Sequence, residues 1–157
     1  MTTAKTLAVM LNEILIVEDN EDHLALTMEA LEDAGLTNPV RTASSLREAR
    51  DYLREYPEEG THGDGELPCV ILLDVRLPDG SGMDVLREIR QHPRLKTVPV
   101  VVLTSSDHTP DVHRAYQLGA NSYLVKPISF EQFHHKVREA GLYWAVLNER
   151  DRPSVGD

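Results

Sequence analysis

Four short apolar runs of the sequence are each followed directly by residues that could do chemistry. These residues are three carboxylates, a hydroxyl and an ammonium: Glu18, Asp19, Asp74, Thr104 and Lys126. Clustered carboxylates repel one another at neutral pH and favour a hard divalent cation such as Mg²⁺. A neighbouring hydroxyl and ammonium can hydrogen-bond phosphoryl oxygens, and a carboxylate can itself attack phosphorus to form an aspartyl phosphate. The set therefore predicts a metal-dependent phosphoryl site that includes Asp74.

Each of these residues has a commoner role when it is considered alone. An Asp at a strand end, such as Asp74, is usually a turn or helix cap, and the run Glu18–Asn20 could cap a following helix. A lone Thr is most often a strand residue, and a lone Lys is usually a solvated charge. The chemical interpretation is favoured because all of them follow strands and should meet at one edge of a single sheet.

The apolar runs are continuous rather than alternating, which is typical of strands buried on both faces of a parallel sheet. They are Ile14–Val17, Val70–Leu73, Val100–Leu103 and Tyr123–Val125, with a weaker fifth candidate at Pro39–Ala43. Helical patterns cover residues 21–35, 44–56, 82–92, 109–120 and 129–147. The alternation of strands and helices predicts a doubly wound α/β domain with a parallel sheet.

Local signals predict where the helices begin and end and which faces they bury. Gly35 and Gly119 are expected C-terminal caps, Thr109 an N-terminal cap, and Ser129 the start of a capping box. The first-helix side chains predicted to share one face are Leu24, Met28 and Leu31. The stripe predicted for the last helix consists of Phe130, Phe133, Val137, Ala140 and Trp144, with Val146 and Leu147 extending beyond the sheet.

The length of 157 residues suits one compact domain. We expect this domain at residues 13–148, with an N-terminal tail at 1–12 and a C-terminal tail at 149–157. Tyr56–Pro68 is rich in Gly, Pro and acidic residues, which predicts a long surface loop before the third strand. Few residues follow the last helix, so we expect no DNA-binding domain after it.

Composition excludes several classes of function. The formal net charge of −10 argues against general binding to nucleic acids or anionic membranes. A single cysteine, Cys69, excludes an internal disulfide and is predicted to be buried. The early apolar patch Leu7–Leu11 is too short for a signal peptide core or a membrane span, so we expect a cytoplasmic protein. No phosphate-binding loop of the nucleotide-binding kind is present.

Once these residues are identified, four motifs show a family resemblance. They are VED at 17–19, LLDVRLPDGSG at 72–82, VVVLTSSD at 100–107 and ANSYLVKP at 120–127. Together they make residues 13–147 resemble a response regulator receiver domain of two-component signalling. The resemblance implies a flavodoxin-like (βα)5 fold with a five-stranded parallel sheet.

The resemblance also implies roles for the acidic residues. Asp74 is expected to be the phosphoacceptor. Asp19 and Asp74 are expected to bind Mg²⁺ directly, together with the backbone carbonyl of Arg76, and Glu18 through metal-bound water. Mn²⁺ is expected to substitute for Mg²⁺.

Further roles are implied for residues after the last two strands. Thr104 is expected to hydrogen-bond the phosphoryl group, and Lys126 to pair with it through its ammonium. The Lys126–Pro127 peptide bond is expected to be cis. Tyr123 is expected to be the switch aromatic, turning inward as Thr104 moves. Ser106, like Arg76, occupies a variable position that flanks the path of an attacking water.

Within the family, the chain most resembles single-domain regulators that partner bacterial and cyanobacterial phytochromes. The features that carry this resemblance are the insert before the third strand, LTSSD, LGANSYLVKP, FEQF and the late YW pair. The implied partner is therefore a sensor histidine kinase, in this subgroup a phytochrome. The signal would pass to a downstream protein or to a phosphotransfer target.

Three functions compete at this point. The first is a binding module controlled by phosphorylation, which catalyses its own phosphorylation and slow hydrolysis but is not an enzyme in the usual sense. The second is an Mg²⁺-dependent phosphatase with an aspartyl nucleophile, which would need an acid two residues after Asp74, where Arg76 stands. The third is an interaction domain with a vestigial site, which the complete set of acids, Thr104 and Lys126 disfavours.

Aromatic residues and histidines near the C-terminus predict surface features. Tyr143 and Trp144 could serve either as core anchors or in an interface. The apolar surface late in the last helix favours a homodimer formed by the fourth helix, fifth strand and fifth helix. The histidines predicted to lie on the surface without metal are His108, His113, His134 and His135.

Overall fold

Five strands form a single parallel sheet, and its three central strands are buried on both faces. The computed structural model describes residues 12–57, 67–126 and 129–147. The strands are β1 (Ile14–Val17), β2 (Val40–Ala43), β3 (Val70–Leu73), β4 (Val100–Thr104) and β5 (Ser122–Val125). Their order in the sheet is β2-β1-β3-β4-β5, and every neighbouring pair is parallel.

Helices cover both faces of this sheet. They are α1 (Glu21–Asp33), α2 (Leu46–Arg54), α3 (Gly82–Gln91), α4 (Thr109–Gln117) and α5 (Phe130–Leu142), and a π-helical turn, Tyr143–Leu147, continues α5. Alternate strand residues enter two separate cores: Leu15 and Ile71 belong to the core that α2, α3 and α4 cover, and Ile14 and Val70 to the core under α1 and α5. The predicted doubly wound α/β domain is confirmed.

The strand order reverses at β1, which lies between β2 and β3. In open α/β sheets the crevice outside the strand ends at such a point is where ligands bind. Val17, the last residue of β1, is in register with Leu73, the last residue of β3. Thr104, the last residue of β4, is in register with Val125 of β5. The residues after these strands therefore meet at one edge of the sheet.

Helix starts follow the side-chain signals, with one shift. The Ser129 hydroxyl accepts a hydrogen bond from the amide of Gln132 at 3.4 Å, as the capping-box spacing predicts. Thr109 was predicted to cap α4 but is its first helical residue; His108 is the N-cap and makes no side-chain capping bond. Gly35 and Gly119 follow α1 and α4 with positive φ of 81° and 101°, a conformation that glycine adopts without strain.

Burial corrects two of the predicted apolar faces. Met28 is 42% exposed, because it lies on the solvent side of α1, whereas Leu31 is buried. Phe130 is 48% exposed at the start of α5, while Phe133 and Val137 of the same predicted stripe are buried. A periodic pattern identifies the central residues of a face better than its margins.

Several predictions concern residues at the limits of the described ranges. Asn12, which we assigned to the tail, is buried, and its side-chain amide donates to the carbonyl of Leu67 at 2.7 Å. Cys69 is buried as predicted. The other tail residues, the central part of the 56–68 loop, the Lys126–Pro127 bond and the Leu147 side chain lie outside the described residues. Among the described helices, none has the length and apolar composition of a membrane span.

Candidate functional site

Glu18 and Asp19 leave β1 at the edge where the strand order reverses. The sheet pattern continues for one residue, because the Glu18 amide donates to the carbonyl of Ala43 at 2.9 Å. Glu18 is buried and Asp19 is exposed. Asn20 then caps α1: its side-chain oxygen accepts from the amide of His23 at 3.0 Å. The cap turns the chain so that the first turn of α1 stands beside the two carboxylates.

Asp74 is held at the end of β3 by its backbone and by one side-chain oxygen. Its amide donates to the carbonyl of Val17 at 2.9 Å, and its Oδ1 accepts from the amide of Arg76 at 3.0 Å. The side chain is nearly buried. Gly82, the first residue of α3, packs so closely that a Cβ there would lie 2.2 Å from the carbonyl oxygen of Asp74. Glycine at this position therefore lets α3 begin directly against Asp74.

Lys126 joins the acidic groups to a histidine. Its Nζ donates to Asp74 Oδ2 at 2.9 Å, to Glu18 Oε1, and to His23 Nδ1 at 3.0 Å. An ammonium has three protons and no lone pair, so these contacts use all of its donors. The side chain is only 5% exposed, so the pairs form in a region of reduced dielectric.

The three carboxylates can be brought to one cation. Glu18, Asp19 and Asp74 each offer an oxygen, and these oxygens all lie within 4.8 Å of one another. Oxygen ligands from a few carboxylates are the set that Mg²⁺ prefers, so the donor chemistry fits this ion. Burial raises the pKa of the Glu18 carboxyl to about 7, although Lys126 opposes the shift. A divalent cation beside the carboxylates would oppose this shift and favour the ionised form of Glu18.

Thr104 ends β4 with a hydroxyl that is not satisfied. The residue is fully buried, and its Oγ1 has no hydrogen-bond partner among the described residues. Its carbonyl accepts from the amide of Lys126 at 2.7 Å, which fixes the backbone beside the base of the lysine. An orphaned buried donor costs free energy, so its position at this edge suits a ligand oxygen that arrives only in another state.

The loop after β4 connects the site to β5 and α4. Tyr123 is half-buried, and its hydroxyl donates to the carbonyl of Ser106 at 2.8 Å. Burial raises the pKa of the Tyr123 phenol, so this group is a hydrogen-bond donor at neutral pH. The Ser106 hydroxyl donates to Asp111 Oδ2 at 2.5 Å. The structure therefore gives Tyr123 a fixed partner on the loop that follows Thr104.

All the residues predicted from the strand ends lie at one edge of the sheet. Lys126 contacts Glu18 and Asp74 directly, and Asp19 joins them in the acidic cluster. The Arg76 amide contacts Asp74, while metal binding by its carbonyl stays a prediction. Sequence reasoning missed His23, although its place in the first turn after β1 was a signal that it could reach the site.

The predicted surface histidines divide into two groups. His108, His113 and His135 are exposed, as predicted. His134 is half-buried and lies with its Nε2 2.7 Å from Asp33 Oδ2, a contact that ties α5 to α1. The prediction for His134 was therefore incomplete, because the pairing joins residues far apart in the sequence.

Comparison with known proteins agrees with this geometry. The response regulator receiver domain family matches residues 14–138. The probable methanogenesis regulatory protein FilR2 of Methanothrix harundinacea is 43% identical over 90% of this chain and 88% of its own length. The response regulator Rcp1 of Synechocystis sp. is 34% identical over 83% of this chain and 87% of its own length.

Solved structures show the same relationship. The phosphorylated cyanobacterial phytochrome response regulator RcpA superimposes with a TM-score of 0.77 and 35% identity, covering 91% of this chain and 99% of RcpA. The Mn²⁺-bound form of Rcp1 gives a TM-score of 0.78 and 31% identity, covering 89% of this chain and 99% of the Rcp1 chain. The resemblance to phytochrome response regulators is thereby confirmed. This chain belongs to the response regulator receiver domain family of two-component signalling.

Proposed function

We propose that Asp74 accepts a phosphoryl group from a sensor histidine kinase, with Mg²⁺ bound by the neighbouring acids. The observation that carries the proposal is the convergence of a buried ammonium, Lys126, on Asp74 beside two further carboxylates, Glu18 and Asp19. The unpartnered hydroxyl of Thr104 at the same edge supports it. The Mn²⁺-bound form of Rcp1 is a similar protein with a divalent ion, which supports a metal requirement and the substitution of Mn²⁺.

The residues divide the chemistry between them. An oxygen of Asp74 attacks phosphorus, a new P–O bond forms, and the P–N bond of a phosphohistidine breaks with its electron pair leaving on the imidazole. Lys126 pairs with one phosphoryl oxygen and the Thr104 hydroxyl donates to another. A bound Mg²⁺ would supply charge neutralisation at the phosphoryl oxygens. Slow hydrolysis of the aspartyl phosphate would return the protein to its first state.

The upstream partner is proposed from the relatives. RcpA is described as a cyanobacterial phytochrome response regulator, and on that likeness we propose a phytochrome histidine kinase as the donor. The output is a changed association with a downstream protein or a phosphotransfer target. The net charge of −10 supports a protein partner rather than nucleic acid.

A phosphatase is the alternative that the site disfavours. Such an enzyme needs a second acid beside the nucleophile to protonate the leaving group. The residue two positions after Asp74 is Arg76, which is exposed and cannot give up a proton near neutral pH. The site therefore supports phosphoryl acceptance better than turnover of phosphate esters.

Labelling with acetyl phosphate tests the proposal. Incubation with Mg²⁺ should add one phosphoryl group, seen by intact-mass spectrometry, and excess EDTA should prevent it. Asp74→Asn should abolish the adduct while the circular dichroism spectrum stays unchanged, because the substitution keeps the side-chain shape and removes the nucleophile. Asp51→Asn, which changes an exposed carboxylate on α2, is the matched control and should label normally.

Four outcomes would contradict the proposal. Full labelling of Asp74→Asn would show that another residue is the acceptor. Undiminished labelling in excess EDTA would show that the acidic cluster does not act through a metal. Rapid turnover of many phosphate esters would favour the phosphatase, and no reaction at all would favour a vestigial site.

We also propose that the chain forms a homodimer through α4, β5 and α5. Large apolar side chains on this side are exposed: Tyr116 by 49%, Tyr143 by 49% and Val146 by 61%. A groove of about 600 Å³ lies between the edge strand β5 and the end of α5 and is lined partly by Leu124 and Trp144. Exposed apolar surface of this kind is typical of association sites, and two-fold symmetry is the commonest form of association.

A further inference from the structure

The loop between β4 and α4 is held by one buried residue. Ser106 is 5% exposed, whereas Ser105, Asp107 and His108 around it are exposed. Three hydrogen bonds converge on Ser106. Its hydroxyl donates to Asp111 Oδ2 at 2.5 Å and accepts from the amide of His108 at 3.4 Å, and its carbonyl accepts from the hydroxyl of Tyr123. Movement of this residue would therefore disturb contacts with both α4 and β5.

Different contacts hold the backbone at Thr104 and the loop that follows it. Thr104 belongs to the sheet, because its carbonyl accepts from the amide of Lys126. Beyond Thr104 the chain leaves the parallel ladder, and the side-chain bond from Ser106 to Asp111 ties the loop to α4. The position of the carbonyl that Tyr123 uses is thus set by a carboxylate on the next helix.

Asp111 makes an unusual contact for an acidic residue in the first turn of a helix. A carboxylate in the first turn of a helix ordinarily stabilises the positive end of the helix dipole. In α4 the N-cap residue, His108, makes no side-chain capping bond, and the Asp111 carboxylate reaches back to a hydroxyl in the preceding loop. A hydrogen bond from a hydroxyl to an ionised carboxylate is stronger than one between neutral groups.

We infer that Asp111 is a positioning residue that, through Ser106, holds in place the β4–α4 loop, which follows Thr104 and accepts the hydrogen bond from Tyr123. The inference has two consequences, one for the unphosphorylated protein and one for phosphorylation, and only the second rests on the proposed function. In the unphosphorylated protein, Asp111 favours the arrangement in which Tyr123 donates to the loop. During phosphorylation, it keeps the backbone directly after Thr104 ordered, so that this loop need not lose conformational freedom when the phosphoryl group binds beside it.

Fluorine NMR tests the first consequence without any phosphorylation. The protein has five tyrosines, and incorporation of 3-fluorotyrosine gives each a resonance; Tyr123→Phe identifies the one required. Asp111→Ala and Ser106→Ala should each shift the Tyr123 resonance, because each removes one end of the same hydrogen bond. Asp111→Asn keeps an acceptor oxygen and should restore most of the wild-type shift. Asp107→Ala removes an exposed carboxylate from the same loop and should change nothing.

The half-time of labelling by acetyl phosphate tests the second consequence. It should lengthen several-fold in Asp111→Ala and Ser106→Ala, but stay at the wild-type value in Asp107→Ala. A Tyr123 resonance that does not move in either variant, or a half-time equal to that of Asp107→Ala, would overturn the inference. If the wild-type protein itself does not label, the proposed function fails, and the Tyr123 resonance alone decides the role of Asp111.

Discussion

At the scale of single residues, the site combines satisfied and unsatisfied polar groups. Lys126 uses all three of its protons on Glu18, Asp74 and His23. Thr104, fully buried beside them, has a hydroxyl without a partner among the described residues. Such a group lowers the stability of the state in which it is seen and gains a partner only when a ligand arrives. Under the proposed function, stability and phosphoryl binding therefore make opposite demands on Thr104.

Replacing Thr104 by Val should raise the stability of the unphosphorylated protein and lower its yield of phosphoprotein. Val has nearly the same shape and lacks the hydroxyl, so the unphosphorylated variant should be more stable than wild type by about 1 kcal/mol. Its yield of phosphoprotein at limiting acetyl phosphate should fall, because the donor to the phosphoryl group is lost. Urea unfolding and intact-mass spectrometry measure the two effects.

Thr27 provides the matched control for this prediction. It is also buried, but its hydroxyl donates to the carbonyl of His23 at 2.7 Å. Thr27→Val loses this hydrogen bond and should be less stable than wild type by about 1 kcal/mol. If Thr104→Val is destabilised as much as Thr27→Val, the Thr104 hydroxyl has a partner in solution and the argument fails.

The sequence predicted these site residues because chain direction alone places them. In a parallel sheet the residues after each strand lie at the same edge, so Glu18, Asp74, Thr104 and Lys126 could be assigned without knowing any contact. The place of His23 and the hydrogen bond from Ser106 to Asp111 depend on how α1 and α4 pack on the sheet. Helix orientation follows from packing of the whole core, which periodicity does not specify.

At the scale of elements, the N-terminus of α2 is stabilised partly by a turn that lies far from it in the sequence. Arg76–Leu77 and Gly80–Ser81 form a small antiparallel hairpin after β3, a feature that the sequence pattern did not predict. Asp79 at its tip accepts from the amides of Leu46 and Arg47 at 2.7 and 3.0 Å. These backbone bonds lower the pKa of the Asp79 carboxyl below its ordinary value of 3.8.

Replacing Asp79 by Asn should destabilise the protein in a pH-dependent way. The pKa of Asp79 is lower in the folded state, so its contribution is fully present above pH 3.8 and is lost as pH falls through the folded value. The urea midpoint of Asp79→Asn should lie below that of wild type at pH 6, and the difference should shrink below pH 3.8. Urea titrations from pH 6 downward measure it.

Asp51→Asn is the control for Asp79. Asp51 forms an exposed ion pair with Arg54 on the surface of α2, and pairs of this kind contribute little to stability. Its urea midpoint should match that of wild type throughout. Equal midpoints for all three proteins at pH 6 would show that the hairpin carboxylate does not support α2.

At the scale of the whole molecule, each face of the sheet buries a core of its own. Alternation along β1 and β3 fills a core on each face, and the fold class could be predicted because continuous apolar strands require helices on both sides. The change from α-helix to π-helix at Tyr143 could not be predicted from the pattern, because the apolar residues of a single turn do not specify whether its hydrogen bonds span four or five residues. It lies where the exposed apolar surface of the C-terminal part begins.

The assembly prediction belongs to this scale and concerns that surface. If a second copy covers it, Val146→Asp places a charge in an apolar interface and should weaken self-association at least about tenfold, the effect of about 1.4 kcal/mol. Met28→Asp makes the same change on α1, at a residue that is 42% exposed and outside the proposed interface, and should leave association unchanged. Sedimentation velocity over a range of concentrations, with and without acetyl phosphate and Mg²⁺, measures both variants against wild type. A wild-type protein that stays monomeric at high micromolar concentration in both states would refute the homodimer, and so would equal association of the two variants.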